Sequence, residues 1–169
     1  MVSGRFYRAV RPEMVDHALS APAPESAGRY HAPGEPAIYM SPKLDWARIA
    51  VSGYMREEKS NRLIVAVDLD AAWIVDQRDW AACAALGIDP DESNLPWRTA
   101  LAEGRTPPSW HAAERARLGG ADGLIDRSRH IPGGWHVVLF RWNAPGAPRL
   151  VSRGPVAMAA PKLDGPKWG

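Results

Sequence analysis

Arg29 and Tyr39 are the residues whose types and spacing most invite chemistry. They stand in Gly28-Arg29-Tyr30-His31-Ala32-Pro33-Gly34-Glu35-Pro36-Ala37-Ile38-Tyr39-Met40-Ser41. Turn chemistry flanked by apolar runs reads as two short strands joined by a tight loop over 28–41. On paired strands a fixed guanidinium and a fixed ring would face one cleft. That suits a ligand with a phosphate and a flat heterocycle, because arginine forks onto phosphate and a tyrosine face stacks on a ring. Residue types alone favour a plainer reading, a surface hairpin with one solvated arginine and one packed tyrosine.

The elements that must position these residues follow from local pattern. Residues 5–10 read as a strand closed by Pro12. Residues 11–27 are a loop with one helical turn near Met14 to Leu19. Residues 42–56 read as a helix started by Pro42, and 57–61 as a charged connection. Arg62 to Leu69 is apolar on both faces and about the length of a central strand. Ala72 to Val75 is a further short strand. Asp79 is placed to cap a helix through Leu86, with Gly87 after it. Cys83 lies among the alanines of that helix and reads as a packing residue. Trp97 to Ala102 forms two helical turns. Ser109 reads as the N-cap of a helix through Leu118, and His111 as a surface or packing residue. Residues 123–127, 135–142 and 149–152 read as strands, with 128–134 as a loop. Strands and short helices without a regular βαβ rhythm argue for an α+β fold. One domain spans 1–153, and a Pro/Gly-rich tail, extended or poorly ordered, covers 154–169.

Composition excludes several classes. The 169 residues suit one domain, and 46% hydrophobic content is enough for a core. A net charge of +2 with scattered basic residues argues against a dedicated nucleic-acid surface. One cysteine permits no internal disulfide and fits a reducing compartment. No histidine–cysteine spacing resembles a zinc site, so no metal is expected. No apolar run approaches membrane-spanning length, so the expected location is the cytoplasm, with no membrane partner. Rossmann, P-loop and Gly-x-Ser-x-Gly motifs are all absent.

The 28–41 stretch resembles the N-terminal signature of the RES-domain family, roughly Gly-Arg-aromatic-Asn-x-x-Gly-x-Pro-x-x-Tyr-x-Ser. A second match is Gly120-Ala121-Asp122-Gly123-Leu124-Ile125-Asp126-Arg127-Ser128, followed by Pro132-Gly133-Gly134 and the run Val137 to Phe140. Phe6-Tyr7-Arg8 also resembles the family's start. Together these span roughly residues 5 to 142.

The resemblance implies a split, antiparallel-rich sheet with short helices, similar to ADP-ribosyltransferase toxins. It implies the toxin of a bacterial toxin–antitoxin pair that consumes NAD⁺ by breaking the nicotinamide–ribose bond. ADP-ribose then goes to water or phosphate, or to a host protein acceptor. The implied partner is an Xre-like DNA-binding antitoxin; the nearly balanced charge of this chain argues separately against its own direct contact with nucleic acid. By motif, the catalytic residues carried over are Arg29, Tyr39 and Ser128, and Tyr30 and His31 join them in holding NAD⁺. His31 stands where the family usually has asparagine. In this scheme Tyr39 stacks on nicotinamide, Arg29 holds the pyrophosphate or a ribose hydroxyl, and Ser128 bonds the nicotinamide amide or a ribose hydroxyl. From residue types alone, Ser128 is a turn serine.

One departure stands out. The family's glutamate belongs on the helix after the tyrosine, yet Arg48 to Tyr54 contains no acid. Asp45 precedes this stretch, and Glu57 and Glu58 follow it. Either Glu57 or Glu58 serves, or Asp126 does, or the protein hydrolyses NAD⁺ poorly and favours transfer. Two readings of another class remain beside the enzyme: a catalytically inactive binding module, and, less favoured, an RNA-binding domain.

Overall fold

The computed structural model describes residues 1–159. Seven strands and four α-helices alternate along them. They are β1 (Val2–Val10), β2 (Ile38–Met40), α1 (Leu44–Glu58), β3 (Arg62–Ala72), β4 (Ile74–Asp76), α2 (Trp80–Ala85), α3 (Trp97–Ala102), α4 (Pro108–Leu118), β5 (Gly123–Arg127), β6 (Trp135–Leu139) and β7 (Arg149–Ala159). Short 3₁₀ turns lie at Pro12–His17 and Glu92–Asn94.

The strands form two sheets, β1-β3-β7 and β2-β6-β5-β4. Every pairing is antiparallel except β4 with β5. The sheets meet where Tyr7 and Ser41 exchange both backbone hydrogen bonds at 2.8 Å. The fold is therefore α+β, as the pattern of elements predicts, with the split, antiparallel-rich sheet that the resemblance implies.

β3 is central, and its sequence explains why. Val65 and Val67 point into a core shared with Phe6, Ile38, Val137 and Leu139. Ile64 points the other way, under α1, against Ala47 and Met55. Each fully buried aliphatic side chain contributes about 1.5–3 kcal/mol, so a strand apolar on both faces is driven to the middle. β5 and β6 divide likewise: Ile125, Val137 and Leu139 face the first core, while Leu124 and Val138, with Phe140 just after β6, pack under α4 with Ala113, Ala116 and Tyr30.

Several boundaries differ from expectation. The hairpin expected over 28–41 forms only its second strand, β2, which pairs with β6. Gly28 instead bridges to His31 in a tight turn. Pro33 and Pro36 interrupt any ladder there by lacking an N–H. The helix expected to stop at 56 runs through Glu58, so both glutamates of the expected connection sit in its last turn. Lys59, left-handed at φ 48°, ends it. Pro108 opens α4; Ser109 lies inside the helix rather than capping it and donates its hydroxyl to the Arg29 carbonyl. Asp79 does cap α2, accepting from Ala82 N at 3.0 Å. β6 ends at Leu139, and Phe140 N turns to the Asp122 carbonyl. The last strand extends well past 152: residues 154–159, expected in a tail, belong to β7 and pair with β3. The rest of that tail lies outside the described residues.

Candidate functional site

The site is built on the Gly28–His31 turn. Trp110 of α4 donates its indole N–H to the Gly28 carbonyl at 2.8 Å, and Ser109 holds the next carbonyl. This anchoring aims Arg29 inward, where its guanidinium meets Asp126 on β5. Nη1 donates to Asp126 Oδ2 at 2.7 Å, and Nη2 donates to Asn94 Oδ1 at 2.6 Å and to the Ser93 carbonyl at 3.1 Å. Nε is buried without a partner among the described residues. Arg29 therefore does not project into an open cleft as the sequence led one to expect; both its terminal nitrogens are spent on the protein.

Tyr30 is wholly buried. Its hydroxyl donates to Asp126 Oδ1 at 2.7 Å and accepts from Gln77 Nε2 at 3.2 Å. Burial, then the Asp126 charge, raises its pKa far above the usual phenol range. Burial pushes the Asp126 carboxyl up, opposed by the Arg29 charge and the Tyr30 hydrogen bond. Both Asp126 oxygens are thus occupied. Ser93, whose hydroxyl donates to Gln77, closes the network.

Tyr39 is tied to the same turn. Its hydroxyl accepts from Tyr30 N at 3.0 Å and lies 2.8 Å from His31 Nδ1. Tyr39 as a whole is only partly buried, and pinning the hydroxyl fixes the orientation of its ring. Burial raises the phenol pKa. Gly28 is required here, since a Cβ would fall 2.2 Å from His31 Cε1 and 2.8 Å from the Tyr39 hydroxyl. Ser128 follows β5. Its Oγ accepts from His130 N at 3.3 Å and Ile131 N at 3.2 Å, and its N–H donates to the Gly134 carbonyl at 2.9 Å. It holds the 128–134 loop in shape, as a turn serine does.

A cavity of about 560 Å³ opens between α1, α3 and that loop. Ile49, Ala50 and Gly53 line it from α1, with Tyr54, Trp97 and Arg98 around the rim and Arg129 and His130 beyond. The Arg98 guanidinium sits 4.4 Å over the Tyr54 ring. Arg29 and Tyr39 do not line this cavity; Arg129 does, close enough to Arg29 to feel its charge. Burial, then the Arg29 charge, lowers the Arg129 pKa.

The three candidate carboxylates have different fates. Glu57 lines the cavity but spends both oxygens on Arg98 Nη1, at 3.2 and 3.0 Å. Glu58 turns away from the cavity to Arg62 at 2.5 Å and Arg11 at 3.1 Å. Asp126 is locked as described. Ser93, Asn94 and Gln77 were missed by sequence reasoning: they are ordinary polar residues without a motif, placed by register. Among the described residues no group of three His, Cys, Asp or Glu could hold a metal ion.

The fold and the buried arginine–carboxylate site define a split-sheet α+β domain with a side cavity under its first helix. A model of the RES domain matches residues 5–160, and the chain belongs to the RES domain family. Among solved structures, a chain of the M. tuberculosis MbcT–MbcA toxin–antitoxin complex is similar, with a TM-score of 0.61 and 15% identity over 90% of this chain and 84% of that one. No match is found among curated proteins.

Proposed function

We propose that this RES protein is the toxin of a bacterial toxin–antitoxin pair and consumes NAD⁺ in the cytoplasm by cleaving the nicotinamide–ribose bond. The observation that supports this best is the meeting of both sequence motifs at one place. Arg29 and Tyr39 of the first are bonded through Tyr30 and Asp126 to β5, which leads directly into Ser128 and the cavity loop. The partner is an antitoxin protein of the Xre-like class.

The chemistry is a dissociative substitution at the anomeric carbon. The C–N bond breaks, its electron pair leaves with nicotinamide, and the ribose carries an oxocarbenium charge until a nucleophile adds. The nucleophile's proton passes to solvent. The protein's part is to hold the two halves apart and oriented. Tyr39, fixed through its hydroxyl, stacks on the departing ring. Arg29 acts through Asp126 and Asn94 to hold the turn that carries Tyr39, rather than by gripping the pyrophosphate. Arg129 and Arg98, at the cavity, supply the cations for the phosphates. Of the carboxylates expected to serve, Glu57 is paired with Arg98, Glu58 with Arg62 and Asp126 with Arg29, while Asp45 lines the cavity with only Oδ1 bonded among the described residues, to Arg48.

The test is nicotinamide release from NAD⁺ by purified protein, with lysate as acceptor, compared with Ala50→Trp, which fills the cavity. Release by wild type and loss in the variant are expected. Absence of release with every acceptor would overturn the enzyme reading and leave a binding module.

A further inference from the structure

β6 carries a histidine that no motif points to. His136 is paired in register with Asp126 on β5, and opposed residues of antiparallel strands share a face. On its other side Ser41, which follows β2, lies with its Oγ 2.9 Å from His136 Nδ1. A polar row, Ser41–His136–Asp126, therefore crosses the sheet next to Tyr39, a residue only partly buried. Tyr39 opposes Val138, two residues along β6 from His136 and on the same face, a diagonal of about 7–8 Å.

The tautomer follows from hydrogen-bond accounting. Ser41 is 3% exposed, and its Oγ has no other partner among the described residues. A buried hydroxyl directs its hydrogen to the acceptor available. Nδ1 therefore accepts, and the ring proton sits on Nε2. Nε2 has no partner among the described residues, and it is not one of the fully enclosed unpaired polar atoms. Burial, with Arg29 and His130 nearby, holds the imidazole neutral, its pKa lowered to about 4. A neutral donor suits a ligand that bears a pyridinium, which an imidazolium would repel.

We propose that His136, its tautomer set by Ser41, is a further substrate-contacting residue that donates Nε2–H to the carboxamide oxygen of the nicotinamide ring stacked on Tyr39. This rests on the NAD⁺ reading above. As the glycosidic bond breaks, its electron pair enters the pyridine ring and the carboxamide oxygen becomes more electron-rich. The hydrogen bond therefore tightens toward the transition state, where it accelerates the step. No proton is transferred. The role also answers the absence of an acid from Arg48 to Tyr54: assistance goes to the leaving group instead of to the ribose.

Two measurements on the full chain test this. In ¹⁵N-histidine NMR, nicotinamide alone is titrated into wild type, with the His136 signals assigned by their loss in His136→Gln. A saturable shift of the wild-type Nε2 signal is expected, and its absence overturns the inference whatever the enzyme assay gives. In the kinetic arm, nicotinamide release is compared between NAD⁺ and its thionicotinamide analogue, whose sulfur accepts hydrogen bonds poorly. His136→Ala is expected to lower kcat/KM for NAD⁺ about tenfold, the worth of one ordinary hydrogen bond, and to erase the preference over the analogue. His136→Gln, which keeps an N–H donor, should restore most of both. Wild-type release with no change in His136→Ala overturns the inference and leaves NAD⁺ cleavage standing. A nicotinamide-dependent shift without release by wild type upholds the donor and removes the cleavage.

Discussion

The Arg29 guanidinium and the Asp126 carboxylate, 97 residues apart in sequence, meet at 2.7 Å with their side chains only 10% and 9% exposed. The pair ties the first motif to the second. Removing one partner of such a buried pair strands a charge, which costs about 3–5 kcal/mol. Arg29→Ala and Asp126→Ala should each lower the urea midpoint by a large margin. The double variant should be less destabilised than the sum, showing coupling. Loss of activity in Arg29→Ala must therefore be read beside its stability.

Tyr39 separates ring from hydroxyl. Tyr39→Phe leaves Tyr30 N without its acceptor, a cost of about 1–3 kcal/mol for an unmet buried group, yet keeps the stacking face. It should melt earlier than wild type while nicotinamide release falls little. Tyr39→Ala should lose both, measured by thermal denaturation and by release.

Gly28→Ala tests the turn itself. The added methyl collides with His31 and the Tyr39 hydroxyl, and neither can retreat without breaking the 2.8 Å contact between them. We expect a lower melting temperature and a disturbed Tyr39 environment, read by near-ultraviolet circular dichroism. Gly53→Ala is the control, since a Cβ there meets nothing within 4 Å.

His136 gives a pH dependence with a defined sign. Its folded pKa is depressed to about 4, against about 6.5 in an unfolded chain. Above pH 6.5 both states are neutral and the group has no effect. Between about 6.5 and 4 only the unfolded state takes up the proton, so stability falls as pH falls. His136→Gln should flatten that part of the stability–pH curve, and an unchanged curve would contradict the assignment.

The two glutamates after the α1 cavity face should behave differently. The Glu57–Arg98 pair is exposed, 61% and 47%, and such pairs are worth roughly 0–1 kcal/mol. Glu57→Gln should leave stability near wild type and keep nicotinamide release, since both carboxylate oxygens face Arg98; a loss of release with stability intact would make Glu57 the acting carboxylate. Glu58→Gln should destabilise more, since Arg62, 10% exposed, loses its partner.

The sequence by itself determined the elements whose signals are local. The apolar run of β3, the Asp79 cap, the Trp97–Ala102 helix and the α+β class all follow from patterns within a few residues, and the two motifs were legible as a RES resemblance. Tertiary structure decided everything that depends on register between distant strands. It set Arg29 against Asp126, made Ser109 an anchor instead of a cap, and extended β7 through Ala159 along β3. It also put His136 between Ser41 and Asp126. The physical reason is range. Propensity and capping act over one or two turns, whereas a strand's partner is chosen by burying both faces of a sheet at once, and a polar residue becomes a site residue only when that choice sets it beside another.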